Sequence, residues 1–362
     1  MKATTFSRFG APNVLAVVDV PDRMPGHGEA LIRVEAASVN PSDVKNVAGA
    51  MLQTMLPRIP GRDFAGVVEA GPDAWIGAEV WGSGNAGFTI DGSHAQSIIV
   101  PVASLRRKPE TLSFDQAASV GVNYLTAQRG LVDAAALRSG ETLAIIGASG
   151  GVGSAVAQIA RRMGAIKIIG VDLSAPHSDS AIARATDAFI AGVADTAAAV
   201  RDALGGRGAD VVFDAVGGVM FRTALACLAP RGRLIAISAT GQREVTLNLV
   251  DFYRNEGRII GVDSLKLDLV AAGDILEALR PGFEDGGYQP IAGLVVGFGY
   301  GLCGIRSPAP PAIALLGLLG MLAGERGAVL ALRHFGNQLY EAPPAPTPAH
   351  PSDDRTPQTP GG

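Results

Sequence analysis

Two hydrophobic patterns divide most of the chain. Through residue 120, short valine-rich runs such as EALIRVEAASV and AQSIIVP are separated by turn residues, a pattern typical of a mainly β domain. From residue 121, apolar runs such as TLAIIGA alternate with amphipathic segments such as GGVGSAVAQIARRMGA. This alternation predicts βαβ units and a parallel sheet that is buried on both faces. We expect an α/β fold with a β domain over residues 1–120, a doubly wound sheet over 121–264, and a further helix over 268–282.

A third pattern begins near residue 291. Arg306 is the only charged residue between Gly286 and Gly324, and glycines recur at every fourth position from Gly293 to Gly301. A buried strand is disfavoured because frequent glycine weakens strands, and a soluble helical hairpin would expose a large apolar surface. The spacing favours a two-helix hydrophobic hairpin over 291–326, although its first run spans only about 23 Å as a helix against a hydrocarbon core of about 30 Å. The Pro-rich segment 327–362 predicts a disordered tail.

Composition excludes several other classes. The chain has 362 residues, 18% of them charged, and a net charge of −4 without a long basic run, so a nucleic-acid partner is not expected. Two cysteines, Cys227 and Cys303, cannot form a disulfide framework and fit a reducing compartment. The N-terminal residues lack the apolar core of a secretory signal. We therefore expect the first two domains to be cytoplasmic.

A glycine-rich turn follows the first strand of the second domain. The strand is expected to end near Gly147 and the helix to begin near Gly151, which places the small residues of the turn at the helix N-terminus. Such a turn lets the backbone approach a pyrophosphate, whereas packing alone is the alternative explanation. We expect a dinucleotide site made by Ala148, Gly150, Gly151, Val152 and Gly153.

Asp172 ends the next predicted strand, nineteen residues after Gly153. An acid at this position accepts hydrogen bonds from both ribose hydroxyls and repels a 2′-phosphate, and no Lys or Arg follows in LSAPHSDS. The pattern therefore favours NAD(H) over NADP(H). The alternative role for Asp172 is to cap the next helix.

With these residues placed, the sequence resembles the medium-chain dehydrogenase/reductase superfamily, specifically its zinc-independent quinone oxidoreductase (zeta-crystallin-like) branch. The resemblance covers roughly residues 1–280 and rests on the motifs AASVNPSDVK, IPGRDFAGVVEAG, GVNYLTAQRGLVDAAALRSGETLAIIGASGGVG, VVFDAVGG and FYRNEGRIIGVDSLKLD. It implies a GroES-like catalytic domain, a Rossmann domain and an active site between them.

The resemblance also implies residue roles. Asn40 and Asp43 would line the substrate side, although a turn residue and a helix N-terminal charge are equally good explanations. Lys45 would neutralise charge on a reduced quinone, or would be an ordinary exposed lysine. The remaining expected positions are those near the nicotinamide, Asn123 and Tyr124, and those on the cofactor floor, Val216, Gly217 and Ser238.

Zinc-dependent relatives carry a cysteine near the position of Asn40 and GHE where this chain has Gly61, Arg62 and Asp63. We therefore expect no zinc, and His94 as a strand-edge residue. The resemblance then implies hydride transfer from NAD(P)H to a quinone or an activated enone. The alternatives are a non-catalytic fusion with a vestigial nucleotide-binding domain, and an alcohol dehydrogenase-type activity.

The C-terminal part departs from this family. After GGYQPI one expects a helix that binds across the domains and a closing strand, but residues 265–290 look like only a partial return to the catalytic domain. Residues 291–326, with their RSPAPP core, resemble the XapX family of small membrane-associated modules. The resemblance implies membrane contact through 291–326 and an incomplete catalytic domain; a homodimer is a further expectation.

Overall fold

The computed structural model describes residues 1–291 and two short strands at 295–297 and 304–306. The strands are β1 Lys2–Thr5, β2 Ala16–Asp19, β3 Glu29–Ser38, β4 Phe64–Ala70, β5 Glu79–Gly82, β6 Ser97–Pro101, β7 Arg106–Arg107, β8 Thr142–Ile146, β9 Lys167–Asp172, β10 Ala188–Ala191, β11 Ala209–Asp214, β12 Leu228–Ala236, β13 Arg258–Gly261, β14 Val295–Gly297 and β15 Gly304–Arg306. The α-helices are α1 Pro41–Val47, α2 Phe114–Ala118, α3 Gly121–Gln128, α4 Gly151–Arg162, α5 Ala181–Ala185, α6 Thr196–Ala203, α7 Phe221–Ala226, α8 Leu249–Arg254 and α9 Leu269–Glu284.

The first domain is built on an antiparallel sheet of order β15-β14-β3-β4-β5-β7, with β6 also paired to β3. Alternate residues of β3, such as Ile32 and Val34, are buried, because successive side chains of a strand point to opposite faces. They pack with Phe64, Val80 and Val100 in one apolar cluster. The predicted mainly β domain is confirmed.

The second domain holds a six-stranded parallel sheet of order β10-β9-β8-β11-β12-β13. On β8, Leu143 and Ile145 pack into one apolar cluster, and Ala144 and Ile146 pack into another. Both faces of the sheet are therefore buried, which explains the continuous apolar runs of its strands. The strand order reverses between β8 and β11, and ligands of such sheets bind at this reversal.

Helix α9 is the helix predicted over 268–282, and it connects the two domains. Its first residue, Leu269, belongs to the apolar cluster of the β domain. Further along, Leu276 and Phe283 pack into the cluster that contains α3. The sequence pattern identified α9 as a helix but could not show that its two ends contact different domains.

The expected closing strand also exists. β14 pairs antiparallel with the end of β3, where Val295 faces Ser38 and Val296 faces Ala37, and β15 pairs with β14. The helical first arm predicted over 291–305 is therefore wrong at residues 295–297 and 304–305. Frequent glycine weakens long strands, but β14 is only three residues long and has Gly297 at its end, so glycine costs it little.

The remainder of the predicted hairpin, and the predicted tail over 327–362, lie outside the described residues. Among the described residues, no helix combines the length and the apolar character that a membrane crossing requires.

Candidate active site

The glycine turn lies where the sequence predicted it, between the end of β8 at Ile146 and the start of α4 at Gly151. Gly147 has a φ of +79°, which favours glycine. A Cβ on Gly153 would lie 2.3 Å from the carbonyl oxygen of Gly147 and 2.7 Å from Cα of Ala148. Only glycine allows α4 to pack this closely on the turn, and the first N–H groups of α4 thereby face the carboxyl edge of the sheet.

Asp172 ends β9 beside this turn. One carboxylate oxygen accepts a hydrogen bond from the backbone N–H of Ser149 at 2.9 Å, and the other accepts from Leu173 N–H at 2.8 Å. The next helix, α5, is capped by Ser180. Asp172 therefore belongs to the glycine turn and does not cap the following helix.

The predicted cofactor floor is a compact pair of turns after β11 and β12. Gly217 has a φ of +65°, and a Cβ on it would lie 1.8 Å from the carbonyl oxygen of Ser238. The Asp214 carboxylate holds the first turn by accepting hydrogen bonds from the N–H groups of Val216 and Gly217 at 3.0 and 2.7 Å. Burial raises the pKa of Asp214. Val216, Gly217 and Ser238 thus meet at the carboxyl edge, next to the glycine turn.

Asp63 is the centre of a buried polar cluster that sequence reasoning missed as a functional residue. Its carboxylate accepts hydrogen bonds from Ser38 Oγ at 2.9 Å, from Asn40 Nδ2 at 2.9 Å and from Ser83 Oγ at 2.5 Å. The backbone N–H of Val122, in the first turn of α3, lies 3.1 Å from both carboxylate oxygens. These contacts satisfy both oxygens of the buried carboxylate and hold it in one orientation. The one feature of the sequence that could have indicated this role is the acidic residue of the GRD motif.

Asp43 lies next to this cluster with one oxygen unpartnered. Oδ2 accepts from the N–H of Asn40 at 2.8 Å at the start of α1, so the helix N-terminal role is real. Oδ1 is buried and has no hydrogen-bond partner among the described residues. Burial raises the pKa of Asp43, against the opposing influence of His94. The geometry therefore leaves a buried carboxyl oxygen free beside Asn40.

Arg62 occupies the position where the resemblance would place a zinc ligand. Its guanidinium is buried, donating to the carbonyl oxygens of Gly84 at 2.7 Å and Ser264 at 3.1 Å. Burial lowers the pKa of Arg62. Its Cζ atom lies 6.0 Å from the centroid of the Phe88 ring. Arg62 therefore connects the first domain to the segment that follows β13.

The side chains at this position are not suitable ligands for a zinc ion. The Asn40 amide donates to Asp63 and Ser38, and Arg62 has no lone pair to offer a metal. His94, expected at a strand edge, is buried with Nε2 2.9 Å from the carbonyl oxygen of Ser38. Over the described part of the chain, no three His, Cys, Asp or Glu side chains are grouped as metal ligands.

The N-terminal turn of α3 connects this cluster to the glycine turn. Val122 donates to Asp63, and the side chain of the next residue, Asn123, contacts Gly151 so closely that a Cβ there would lie 2.5 Å from Asn123 Oδ1. Asn123 Nδ2 also donates to the carbonyl oxygen of Ser119 at 3.0 Å. The structure thus brings Asn40, Asp43 and Asn123 to one side of the predicted cofactor site.

Tyr124 lies elsewhere. Its ring packs against Phe283 and Tyr288 with centroids 4.8 and 5.7 Å away, and its hydroxyl donates to the carbonyl oxygen of Gln289 at 3.2 Å. Burial raises the pKa of Tyr124. The structure does not bring this hydroxyl to the cluster, because α3 turns it towards the returning chain.

Known protein families match the two domains described above. Residues 26–110 match the alcohol dehydrogenase GroES-like domain, and residues 151–277 match the zinc-binding dehydrogenase family. Residues 290–340 match a protein family of unknown function, DUF1427. This match does not support the XapX resemblance or its membrane role.

Relatives cover most of the chain. A zinc-type alcohol dehydrogenase-like protein of Schizosaccharomyces pombe is 37% identical over 80% of this chain and 87% of its own length. The Homo sapiens quinone oxidoreductase is 31% identical over 81% of this chain and 89% of its own length. Among solved structures, an NAD-dependent alcohol dehydrogenase has a TM-score of 0.74 and 29% identity, covering 80% of this chain and 91% of its own. A mycobacterial protein complexed with NADPH has a TM-score of 0.69 and 26% identity, covering 80% and 90%.

Proposed function

The chain belongs to the medium-chain dehydrogenase/reductase superfamily, and from this premise we propose that it is an NAD(P)H-dependent reductase of quinones or activated enones. The coarser function, that of an NAD(P)H oxidoreductase, follows from the family. The substrate class is our inference from the residues of the cleft.

One observation carries the proposal: the first turn of α3 touches both halves of the cleft. Val122 N–H is bonded to Asp63 in the catalytic domain, while Asn123 contacts Gly151 in the glycine turn. A cofactor on that turn and a substrate beside Asn40 would therefore be held by one rigid connection. Such fixed relative placement lowers the entropic part of a reaction barrier.

The residues of the chain have separate roles in this proposal. Gly150, Gly151 and Gly153 would hold the pyrophosphate, and Asn123 would position the nicotinamide side. A bound dihydronicotinamide would supply the hydride. Asp63 orients Asn40 by accepting a hydrogen bond from its Nδ2 at 2.9 Å, so that the Asn40 amide would have a fixed position beside the substrate.

Asp43 is proposed as the hydrogen-bond donor to the substrate oxygen. Its raised pKa favours the neutral acid, and its Oδ1 atom has no other partner in the described structure. A neutral carboxyl group can donate a hydrogen bond, whereas a carboxylate can only accept one. This arrangement suits quinones and enones, whose reduced oxygens need less stabilisation than an alkoxide.

We propose NAD(H) as the preferred cofactor. Asp172 stands at the end of β9 with both oxygens near the turn, where a carboxylate would repel a 2′-phosphate. The two structural relatives support opposite choices, one being described as NAD-dependent and the other as complexed with NADPH. The charge of Asp172 decides our preference.

The alternative functions have less support. A non-catalytic fusion was suggested by an incomplete catalytic domain, but β14 occupies the place expected for the closing strand, beside the end of β3. An alcohol dehydrogenase activity is favoured by the name of the Schizosaccharomyces pombe relative, but the donors around Arg62 do not fit zinc. The homodimer and the membrane contact through 291–326 stay predictions; sedimentation of the full chain with membranes tests the second.

The experiment is a kinetic panel. NADH and NADPH oxidation is followed at about 340 nm with quinones, activated enones and simple ketones. We expect turnover of the first two classes and a higher kcat/KM for NADH. Cofactor binding without turnover of any acceptor would support the non-catalytic alternative, and turnover limited to ketones would support the alcohol dehydrogenase.

A further inference from the structure

Arg62 and Asp63 are neighbours in sequence, and each of them holds one place where the chain crosses between the domains. Val122 N–H, in the first turn of α3, donates to Asp63 at the point where the chain enters the second domain. Arg62 Nη2 donates to the carbonyl oxygen of Ser264 at 3.1 Å, where the chain has left β13 and approaches α9. The two side chains therefore fix the entry and the exit of the second domain to the first domain.

The exit segment, residues 262–268, is bonded to both domains. On the side of the second domain, Thr126 Oγ1 of α3 donates to Ser264 Oγ at 3.0 Å, and both side chains are buried. On the side of the first domain, the bond comes from Arg62. A shift of one domain relative to the other would therefore break a buried hydrogen bond of this segment.

A second donor of Arg62 holds the neighbouring backbone. Arg62 Nε donates to the carbonyl oxygen of Gly84 at 2.7 Å. A Cβ on Gly84 would lie 3.1 Å from backbone atoms of Asp268 and Leu269, so the turn after β5 packs directly on the start of α9. One guanidinium thus bonds both Gly84 and Ser264, and its planar, rigid fork sets the separation of these two pieces of backbone.

The stability of the fold does not account for a guanidinium at this position. The Arg62 side chain is 1% exposed, and both of its bonded acceptors are carbonyl oxygens. None of the ion pairs among the described residues includes it. Burial of a charge without a paired carboxylate costs free energy, and removing such a charge for an apolar side chain is often neutral or stabilising.

We propose that Arg62 is a positioning residue for hydride transfer, which fixes the exit segment and the cofactor floor against the substrate side of the cleft. This inference rests on the proposed function and adds a residue to it. The exit segment follows β13, which pairs with β12, and the end of β12 leads to Ser238 of the floor. On the other side, Asp63 orients Asn40. A displaced residue 62 would therefore move both sides of the reaction relative to each other.

Single-turnover kinetics of the full-length protein test this role. Arg62→Lys keeps the charge, but one ammonium group cannot reproduce a fork that spans two carbonyl oxygens. With NADH and an activated enone both saturating, the rate of NADH oxidation should fall about tenfold or more, because a misplacement of about 1 Å can cost about a hundredfold. NADH deuterated at C4 should slow this step, which identifies it as hydride transfer. The Kd of NADH should change by less than about twofold, since the glycine turn is untouched.

An unchanged rate in Arg62→Lys would overturn the proposal, and so would a loss of NADH affinity as large as the loss of rate. Arg233→Lys is the matched control. Arg233 is also a largely buried arginine, and it donates to the carbonyl oxygen of Ala135 and to the Glu141 carboxylate within the second domain. This variant should lose stability but keep the single-turnover rate of the folded protein. Equal rate losses in both variants would mean that Arg62 acts only through the stability of the fold.

Thr126→Val provides a second variant if Arg62→Lys folds poorly. It removes the other bond of the exit segment, the one to Ser264 Oγ, with little change of shape. The single-turnover rate should fall about threefold or more, as the loss of one hydrogen bond predicts, while the Kd of NADH stays the same. A wild-type rate in Thr126→Val would contradict the dependence of hydride transfer on this segment.

Amide exchange requires no turnover and separates this inference from the proposed function. In the wild-type protein, residues 262–268 should be protected before NADH is added, because Arg62 already holds them. In Arg62→Lys, exchange over these residues should accelerate by about tenfold or more, while Arg233→Lys leaves it unchanged. If no quinone or enone is reduced, the proposed function fails. Unchanged exchange in Arg62→Lys overturns the present inference whether or not any acceptor is reduced.

Discussion

At the scale of single residues, Asp43 is a buried acid whose protonation should control stability. Its raised folded pKa means that the folded state holds the proton more tightly than the unfolded chain. The associated stabilisation is full below the ordinary carboxyl pKa of 3.8 and is lost as pH rises through the raised folded value. Stability at neutral pH is therefore reduced by this side chain.

The substitution Asp43→Asn tests this account. Asparagine does not ionise, so the free energy of unfolding of the variant, relative to the wild type, should increase as pH rises from about 4 towards 8, by on the order of 1 kcal/mol. Urea unfolding across that range measures it. The exposed Asp202, changed to Asn, is the control. A difference that does not vary with pH for Asp43→Asn would contradict a raised pKa.

Gly121 is a second residue whose identity is set by close packing. A Cβ at this position would lie 2.2 Å from Asp63 Oδ1 and 2.7 Å from Ser83 Cβ. Gly121→Ala should therefore displace the Asp63 carboxylate from Val122 and cost about 1–3 kcal/mol of unfolding free energy, with a lower kcat. Gly261→Ala is the matched control, since its Cβ would meet nothing within 4 Å, and should change stability by less than about 0.5 kcal/mol. Equal losses of stability in both variants would show that close packing against Asp63 is not the cause of the effect.

At the scale of elements, a single glutamine fixes the returning chain. Gln158 of α4 accepts from the N–H of Gln289 at 2.7 Å and donates to its carbonyl oxygen at 3.1 Å. Tyr124 donates to the same carbonyl. These contacts lie between α9 and β14, so they set the path that leads the chain back to β3.

Gln158→Leu should loosen this segment. The N–H of Gln289 loses its partner and the carbonyl oxygen keeps only Tyr124, at a cost of about 1–3 kcal/mol. Amide exchange over residues 285–291 should therefore accelerate by about tenfold or more. Gln53→Leu, at an exposed glutamine, provides the comparison. Unchanged exchange in Gln158→Leu would mean that β14 pairing alone holds the return.

The elements also show what the sequence could predict. Periodicity identified the strands and helices of both domains and the turn at Gly147–Gly153, because local spacing determines them. It missed Asp63, since the four donors to its carboxylate come from three separate segments of the chain. It also missed the pairing of β14 with β3, because nothing in a glycine-rich run shows which distant strand edge is free. The separation of Tyr124 from Asn123 could not be predicted either, because adjacent helix residues point in different directions.

At the scale of the whole molecule, cofactor preference should depend on Asp172. A ligand that binds only the folded state stabilises it by about 2.7 kcal/mol at a hundred times its Kd. NADH should therefore raise Tm more than NADPH at equal concentration. Asp172→Asn should narrow that gap, since the repulsion of the 2′-phosphate is removed. A larger Tm shift with NADPH in the wild-type protein would reverse our cofactor assignment.

The central claim is that both halves of the cleft act together in hydride transfer. Its most direct test uses NADH deuterated at C4 on either face, incubated with the full-length protein and an activated enone, with the product analysed by mass spectrometry. We predict deuterium at the carbon β to the carbonyl, from one face only, and a much lower yield for Gly153→Ala because α4 can no longer pack on the turn. Cofactor binding without any transfer of the label, from either face and to any quinone or enone acceptor, would contradict the account.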